Sequence, residues 1–250
     1  MRAIILAAGR GRRINQLSSS KPKCFIKINK KSLISYQINA LKNAGITKIA
    51  IVTGYKKKFF KNLKLKKFNN KEWSSTNMIH SLITAQSWLS KYECIICYSD
   101  IFFESSAITI LKENKNKFCI LSYTNWKSLW QKRFKDIKVD IESFKINKLN
   151  FITEIGQKVK NISNVQGQFM GLIKMSPSKW KIIIKYIKQL SKKERENITT
   201  TTLMNNIIIK KKLKIKAAFY KDLFFEIDSY QDYKIIKNYF KSKKFIFNFI

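Results

Sequence analysis

Apolar residues recur in blocks along the first part of the chain, and their spacing predicts alternating strands and helices. The short apolar run from Met1 to Leu6, in which Arg2 is the one polar residue, predicts a buried strand. A helical stripe predicts a helix from Ser32 to Ala44, which Gly45 ends at the position that a helix C-cap favours. A second strand follows from Lys48 to Thr53. Strand, helix and strand within about fifty residues form a βαβ unit, and such units build a parallel sheet.

The same alternation continues to the end of the chain, with no internal repeat and no low-complexity linker. We therefore predict one α/β domain over residues 1–250. Further strands are predicted from Cys94 to Tyr98, Phe118 to Tyr123 and Gln166 to Met175, with a pair within Asp140 to Ile155 and one or two within Lys214 to Ile227. Further helices are predicted from Thr76 to Leu89, Ser105 to Glu113, Trp126 to Phe134, Ser178 to Leu190 and Thr200 to Ile209, with a last one after Ile227.

The charge of the chain is far from that of an ordinary globular protein, because 51 Lys and Arg face 15 Asp and Glu, for a formal net charge of +36. Such a balance is typical of nucleic-acid binding. The basic residues are, however, almost all Lys, scattered beside many Ile and Asn, as AT-rich coding sequence produces. A nucleic-acid surface more often concentrates Arg or interleaves aromatic residues. Most of this charge is therefore interpreted as solvated background.

Composition excludes other classes. A hydrophobic share of 45% with 13% aromatic residues predicts a packed interior rather than a disordered chain. No apolar run approaches the roughly 18 residues that span a bilayer, so neither a membrane protein nor a secreted precursor is expected. Cys94 and Cys97 form the one C-x-x-C pair, and His80 is the only histidine, so reduced core cysteines in a cytoplasmic protein are a better interpretation than a zinc or redox site.

The first candidate for chemistry is the loop after the first strand, where residues 6–13 read LAAGRGRR and Lys23 follows a proline. Gly9 and Gly11 allow backbone N–H groups to approach phosphates closely. Arg13 and Lys23 can neutralise negative charge held there. This loop holds half of the six arginines of the chain, which sets it apart from the Lys background.

The glycine loop does not match two other known phosphate-binding motifs. A dinucleotide fingerprint needs a third glycine where Ile14 stands, and a Walker loop needs Gly-Lys-Ser/Thr, which the sequence lacks here. A basic loop without function is the remaining alternative, since two glycines alone are a weak signal.

These residues carry a resemblance to a known family. L-A-A-G-x-G-x-R with a downstream P-K resembles the signature of nucleotidyltransferases that condense a nucleoside triphosphate with a phosphorylated small molecule and release pyrophosphate. Asp100, at the end of a predicted strand, and Asp228, before the last helix, resemble that family's metal-binding aspartates. Two carboxylates of this kind suit Mg²⁺, whose remaining ligands come from the triphosphate. The alternative for each carboxylate is a helix N-cap.

The branch of the family is indicated by the segments further along. Thr76-Asn-Met-x-x-Ser81 stands where sugar-1-phosphate members usually carry a Gly-Thr-Ala stretch. Together with the motifs of the middle segment, it resembles the cytidylyltransferases acting on phosphocholine and phosphonates, and especially the branch that activates phosphoglutamine in capsular phosphoramidate synthesis. The resemblance implies a Rossmann-like fold of the nucleotide-diphospho-sugar transferase type, with a mixed, mainly parallel sheet flanked by helices. Residues from about 124 to 175 would form much of the acceptor-binding part.

The resemblance also implies a role for individual residues. Arg13 and Lys23 are expected to be catalytic, and Asp100 and Asp228 to hold Mg²⁺. The residues expected near the nucleotide are Leu6, Ala7, Ala8, Gly9, Gly11, Arg12, Gly54, Asn77 and Ser81. Those expected near the acceptor are Trp126, Arg133, Asp140, Glu142, Glu154, Gln168 and Glu226.

The acceptor segment has a physical interpretation of its own. Trp126 and Trp130 can hold an ammonium group by cation–π attraction, and the acids Asp140, Glu142 and Glu154 offer opposite charge. The alternative is that the two Trp, spaced i to i+4, are simply the core stripe of a short helix.

The leading hypothesis is therefore a Mg²⁺-dependent cytidylyltransferase whose partners are CTP and a small phosphorylated or phosphonate acceptor, with neither nucleic acid nor membrane. The attacking oxygen is already anionic at neutral pH, so positioning and charge neutralisation suffice without a general base. One alternative is a sugar-1-phosphate nucleotidyltransferase using UTP or dTTP. A nucleic-acid-binding protein is the other. The oligomeric state, a homo-oligomer included, is left open.

Overall fold

The structure is a computed structural model that describes residues 1–242, without the side chains at positions 12, 15 and 16. Seven strands form its main sheet: β1 (Arg2–Ala7), β4 (Ile49–Thr53), β5 (Lys66–Asn69), β6 (Cys94–Tyr98), β8 (Phe118–Tyr123), β11 (Gln168–Met175) and β12 (Lys216–Tyr220). Three smaller pairs are β2 (Lys27–Ile28) with β3 (Lys31–Ser32), β7 (Ile101–Phe103) with β13 (Phe224–Glu226), and β9 (Glu142–Ile146) with β10 (Ile152–Lys158).

The main sheet has the order β12-β8-β11-β6-β1-β4-β5. All neighbouring strands in it run parallel except β11, which lies antiparallel between β6 and β8. The central strands β1 and β6 are almost wholly buried, as expected of parallel strands covered on both faces. The prediction of a mixed, mainly parallel α/β sheet is confirmed.

Helices surround this sheet. They are α1 (Asn15–Ser18), α2 (Leu33–Asn43), α3 (Met78–Thr84), α4 (Gln86–Leu89), α5 (Ser105–Glu113), α6 (Trp126–Arg133), α7 (Pro177–Gln189), α8 (Lys192–Asn197), α9 (Thr200–Ile209) and α10 (Tyr230–Ser242). Short 3₁₀ turns lie at Arg12–Ile14, Lys23–Phe25, Lys57–Phe60, Ile137–Val139 and Ile162–Asn164. Within residues 1–242, the helices are all too short or too polar to cross a membrane.

The structure adds the short elements α1, β2, β3 and β7 to the predicted set, and it differs from the prediction at three longer ones. The helix predicted from Thr76 to Leu89 is two helices, because the chain turns at Ala85, which is the C-cap of α3 and precedes α4. The strand β5 escaped prediction because it is a Lys-rich edge strand with little buried surface. Helix α8 escaped because it is short and polar, and a capping box of Ser191 and Glu194 begins it.

The pairing of β7 with β13 determines which residues lie beside the end of β6. Glu226 pairs with Ile101 in an antiparallel register, and the Ile227 amide donates to the carbonyl of Asp100 over 2.9 Å. The segment that enters α10 is thereby joined to the segment that leaves β6. Residues 100 and 228, which are far apart in the sequence, become neighbours.

Candidate active site

The loop after β1 forms the floor of a cavity of about 150 Å³, called here the glycine-loop cavity. Gly11 has a φ of +69°, and a Cβ there would lie 3.1 Å from the Lys23 side chain, so glycine suits this turn. A Cβ at Gly9 would meet no atom within 4 Å. The cavity is lined by Leu6, Ala7, Ala8, Gly9, Gly11, Pro22, Lys23, Cys24, Asn70, Trp73, Thr76, Asn77, Met78, Ser81, Ser99 and Asp100.

Of the residues predicted near the nucleotide whose side chains the structure describes, Gly54 alone does not belong to that lining. Gly54 lies behind the loop, where a Cβ would come within 2.7 Å of the carbonyl oxygen of Ala8 and 2.5 Å of Trp73. Its role is to allow this close approach of the two backbones. The side chain of Arg12 lies outside the described residues.

The polar side chains of the glycine-loop cavity are tied to the surrounding backbone. Asn77 caps α3 through its side-chain oxygen, and its amide donates to the carbonyls of Arg195 and Ile198, both over 2.8 Å. Ser81 is buried and accepts a hydrogen bond from Asn70. These contacts fix the wall of the cavity and link α3 to the C-terminal end of α8.

Lys23 stands at the inner end of this cavity, between two carboxylates. Its ammonium donates to Asp100 over 3.0 Å and also to Asp228, which in turn accepts from the guanidinium of Arg13 over 2.7 Å. Lys23 and Asp228 are buried, whereas 71% of the Arg13 side chain is exposed. The four side chains form one ion network across the joint between β6 and α10.

The charges around Lys23 and Asp228 hold these two buried groups ionised. Burial alone would lower the pKa of Lys23, but the two carboxylates raise it above its ordinary value. Burial would raise the pKa of Asp228, yet Lys23, Arg13 and Arg133 hold it below its usual range. Asp228 does not cap α10, because Ser229 and Asp232 exchange the capping hydrogen bonds instead. Its carboxylate is therefore free to face the network.

A second cavity, of about 340 Å³, opens on the other side of this network and is called here the acidic cavity. Its lining comes from both the predicted acceptor segment and segments far outside it. It consists of Arg13, Tyr98, Ile101, Trp130, Asp140, Glu142, Gln168, Phe169, Met170, Gly171, Thr199, Thr200, Thr201, Phe224, Glu226 and Asp228.

Arg133 organises the acids on the far side of the acidic cavity. Only 1% of its side chain is exposed, and it donates to Asp232 over 2.8 Å and to Glu226 over 3.1 Å. Asp140 lies 3.7 Å from the same guanidinium. Arg133 is therefore behind the cavity wall, where it holds carboxylates in place.

Acids outnumber cations around the acidic cavity. Burial and the charge of Asp228 raise the pKa of Glu226 to about 8, although Arg133 opposes the shift. Burial likewise raises the pKa of Asp140. Among the side chains that the structure describes, the cations of this region are Arg13, Lys23 and Arg133, and its acids are Asp100, Asp140, Glu142, Glu226, Asp228 and Asp232. Six carboxyl groups therefore share three described cations, although the chain as a whole has a net charge of +36.

Three carboxylates of this region fit a divalent cation. One oxygen from each of Asp100, Glu226 and Asp228 lies within 4.8 Å of the others. The Asp100 Oδ1 atom is buried and has no hydrogen-bond partner among the described residues. Hard oxygen donors of this kind suit Mg²⁺, so the donor set matches that ion.

Besides Arg133, two residues predicted near the acceptor do not line the acidic cavity. Trp126 is buried in α6 and lines a separate cavity of about 910 Å³ between α6 and α10. Glu154 is on β10, where it accepts from Lys145 over 2.9 Å, and it does not line the acidic cavity. Gln168 lines that cavity, but its amide is bonded to backbone atoms of Glu142 and Gly167.

Sequence reasoning missed part of both linings. Thr199, Thr200 and Thr201 enter the acidic cavity at the start of α9, which the sequence placed correctly without assigning it a function. Asn70 and Trp73 line the glycine-loop cavity after the unpredicted strand β5. The sequence offered no signal for Asn70, because the strand before it was not predicted.

Known proteins that resemble this chain identify its family. Residues 3–125 match the MobA-like NTP transferase domain. The chain is 32% identical over 252 residues to CTP:phosphoglutamine cytidylyltransferase of Campylobacter jejuni subsp. jejuni serotype O:2, an alignment that covers 94% of this chain and 98% of that protein. The chain belongs to the nucleotidyltransferase family. It is an enzyme of the group that includes this cytidylyltransferase, and its resemblance to that group is confirmed.

Two further comparisons support this placement. The chain is 41% identical over 95 residues to choline-phosphate cytidylyltransferase of Streptococcus pneumoniae, covering 36% of this nucleotidyltransferase and 41% of that protein. The crystal structure of CTP:phosphocholine cytidylyltransferase from the same species superposes with a TM-score of 0.69 at 22% identity, covering 95% of this chain and 98% of that one. The second likeness confirms the fold.

Proposed function

We propose that the protein is a Mg²⁺-dependent cytidylyltransferase that couples CTP to a phosphorylated or phosphonate small molecule and releases pyrophosphate. In this proposal, CTP occupies the glycine-loop cavity and the acceptor occupies the acidic cavity. The relatives named above act, by their names, on CTP with phosphoglutamine or choline phosphate. Those names support the choice of CTP and of a phosphorylated acceptor.

The observation that carries the proposal is the position of Lys23. It lines the glycine-loop cavity beside Asp100, and it donates to Asp228, which lines the acidic cavity. A transfer between two bound molecules needs a cation at the point where they meet, because negative charge accumulates on the phosphoryl oxygens there. Lys23 is the buried cation at that point.

The proposed reaction is an in-line displacement at the α-phosphorus of CTP. An acceptor phosphate or phosphonate oxygen forms a new bond to that phosphorus, and the bond to the β-phosphate bridging oxygen breaks. The bonding pair leaves with pyrophosphate, and no proton has to be moved because the attacking oxygen is already anionic. Lys23 neutralises charge at the α-phosphate, and the exposed, positively charged Arg13 contacts the leaving phosphates.

Mg²⁺ would be held by Asp100 and Asp228, with Glu226 close to both. When bound, it would neutralise the triphosphate and orient it for displacement. The ammonium of Lys23 already compensates these two carboxylates in the protein alone. The unpartnered Oδ1 atom of Asp100 supports a further ligand at this position.

A pyrophosphate-release screen tests the proposal. CTP, UTP, dTTP and ATP are each combined with phosphocholine, 2-aminoethylphosphonate, phosphoglutamine and glucose 1-phosphate, with Mg²⁺ or with EDTA. We expect release that requires CTP, a phosphocholine-, phosphonate- or phosphoglutamine-type acceptor and Mg²⁺. Turnover confined to UTP or dTTP with glucose 1-phosphate would instead establish the sugar-nucleotide alternative.

The nucleic-acid alternative has its own outcome in the same set of measurements. Duplex or single-stranded binding that survives physiological salt, with no turnover of any triphosphate, would overturn the enzymatic proposal. Binding that disappears as salt rises would reflect only the Lys-rich surface of a chain with a net charge of +36.

A further inference from the structure

The turn that carries Asp100 is held at both ends by one side chain. Strand β6 ends at Tyr98 and β7 begins at Ile101, so Ser99 and Asp100 form a two-residue turn between the two strands. The side-chain nitrogen of Gln37 donates to the carbonyl of Tyr98 over 2.8 Å and to the carbonyl of Ile101 over 2.6 Å. Because an amide nitrogen carries two hydrogens, Gln37 uses both of them on this turn.

Gln37 occupies a position at which an apolar side chain would pack. It lies in the middle of α2, at helical spacing from the buried Leu33, Ala40 and Leu41, and it is fully buried. Its Oε1 atom has no hydrogen-bond partner among the described residues. A buried polar atom without a partner lowers stability. Packing alone therefore does not account for an amide here, whereas its two bonds to the turn do.

Other contacts hold the same turn at Asp100 itself. The backbone N–H of Ile227 donates to the carbonyl of Asp100 over 2.9 Å, and the ammonium of Lys23 donates to its Oδ2 atom over 3.0 Å. The carbonyls of residues 98, 100 and 101 are thus all bonded. The Asp100 Oδ1 atom has no partner among the described residues, so it is the oxygen left for a cation. Its position depends on how firmly the turn is held.

We infer that Gln37 is a positioning residue that holds Asp100 in the orientation needed to bind Mg²⁺. The inference rests on the proposed function, in which Asp100 is a ligand of that ion. Gln37 lines neither the glycine-loop cavity nor the acidic cavity, so in that proposal it touches neither the nucleotide nor the acceptor. Residues that orient metal ligands without contacting the metal typically contribute about 10–100-fold to metal affinity or activity.

Gln37→Met tests the inference, because methionine has a similar length, suits a helix and donates no hydrogen bond. At a fixed CTP concentration, the Mg²⁺ concentration that gives half-maximal pyrophosphate release should rise about 10-fold or more. The KM for CTP at saturating Mg²⁺ should stay within about twofold. Mg²⁺ binds free CTP equally in both assays, so the shift reports on the protein.

Hydrogen exchange of the protein alone gives a second measurement that needs neither metal nor turnover. The loss of two hydrogen bonds to the turn should speed exchange about 10-fold or more in β7 and β13 and at Ile227, whose N–H is bonded to Asp100. The exchange of β1 should keep its wild-type rate. Faster exchange throughout the chain, with an unchanged Mg²⁺ dependence, would mean that Gln37 only stabilises the fold and would overturn the inference.

Tyr36→Phe is the matched control on the same helix. Tyr36 is also buried, and its hydroxyl donates to a backbone carbonyl outside the turn, that of Ile28, over 3.0 Å. The variant keeps the ring and removes this bond, so the Mg²⁺ dependence and the exchange of β7 should stay at their wild-type values.

Gln37→Asn is a second variant, which guards against misfolding of Gln37→Met. Asparagine keeps the amide but is one methylene shorter, so it does not reach both carbonyls. The Mg²⁺ dependence should shift in the same direction as in Gln37→Met. A wild-type Mg²⁺ dependence in both folded variants overturns the inference.

The two measurements separate this inference from the proposed function. If CTP is turned over but Gln37→Met shifts neither the Mg²⁺ dependence nor the exchange of β7, the inference fails and the proposed function stands. If no acceptor releases pyrophosphate, calorimetric titration of Mg²⁺ in the presence of CTP replaces the activity assay. Weaker Mg²⁺ binding by the variant, with faster exchange of β7, supports the inference. Equal binding, or no binding to the wild type, overturns it.

Discussion

The two cavities of this nucleotidyltransferase lie side by side but are built differently. The glycine-loop cavity has the short loop 6–11 as its floor, and the rest of its lining comes from residues 22–24, from residues between 70 and 81, and from residues 99 and 100. The acidic cavity is lined by charged, hydroxyl, amide and apolar side chains that come from β6, α6, β9, β11, α9 and β13, and also by Arg13 and Asp228. The lining of the first cavity lies within the first 100 residues, whereas that of the second extends from residue 13 to residue 228.

This difference matches the molecules proposed for each cavity. A triphosphate is bound well by backbone N–H groups and a few cations, so one loop can supply most of its site. A small acceptor differs from one enzyme to the next, and its site needs side chains whose positions are set by their neighbours. The predictions below separate the shared ion network from each cavity in turn.

The largest effect on activity is expected for Lys23→Met, because Lys23 bonds to both Asp100 and Asp228. Its loss removes the buried cation at the meeting point, and pyrophosphate release should fall about 10²–10³-fold or more. Asp228 keeps Arg13 as a partner at 2.7 Å, so the far-UV circular dichroism spectrum should be unchanged. Turnover within tenfold of the wild type in a folded variant would contradict this role.

Arg133→Met should disturb the acidic cavity and leave the glycine-loop cavity intact. The substitution leaves Asp232, Glu226 and Asp140 without their common cation, and removal of one partner of a buried ion pair costs about 3–5 kcal/mol. We expect a loss of this size in the free energy of unfolding in urea, with CTP affinity unchanged in the folded protein. Arg133→Lys keeps the charge but loses the guanidinium that donates to two carboxylates at once. Its free energy of unfolding should lie between those of the wild type and Arg133→Met. A loss below about 1 kcal/mol would mean that the acids do not depend on Arg133.

The same contrast explains how much of each cavity could be predicted from the sequence. The glycine loop could be found because its residues are adjacent and follow a strand. Of the predicted nucleotide set, every residue whose side chain is described, except Gly54, lines the glycine-loop cavity. Most strands and helices were predicted because their apolar residues are regularly spaced. The strand β5 was missed because a Lys-rich edge strand carries no such spacing.

The acidic cavity was predicted less completely, because its partners are distant in sequence. Trp126 and Trp130 lie one turn apart on α6, as their spacing predicted, yet they line different cavities. Glu142 and Glu154 both looked like acceptor ligands, but the β9–β10 hairpin places Glu154 beside Lys145 instead. Nothing in the sequence shows that Gln168 bonds to the backbone of Glu142, since that contact exists only once β11 and β9 are packed together.

The smallest effect is expected in the glycine-loop cavity, where Gly9→Ala and Gly11→Ala form a matched pair. At Gly11 the added Cβ meets Lys23 at 3.1 Å with a φ of +69°, so this variant should lose about 1–2 kcal/mol in urea unfolding. At Gly9 the added Cβ meets nothing within 4 Å, so stability should be unchanged. If phosphates lie along this loop, Gly9→Ala should still raise the KM for CTP severalfold and leave that of the acceptor unchanged. An unchanged KM for CTP would show that the nucleotide does not approach Gly9.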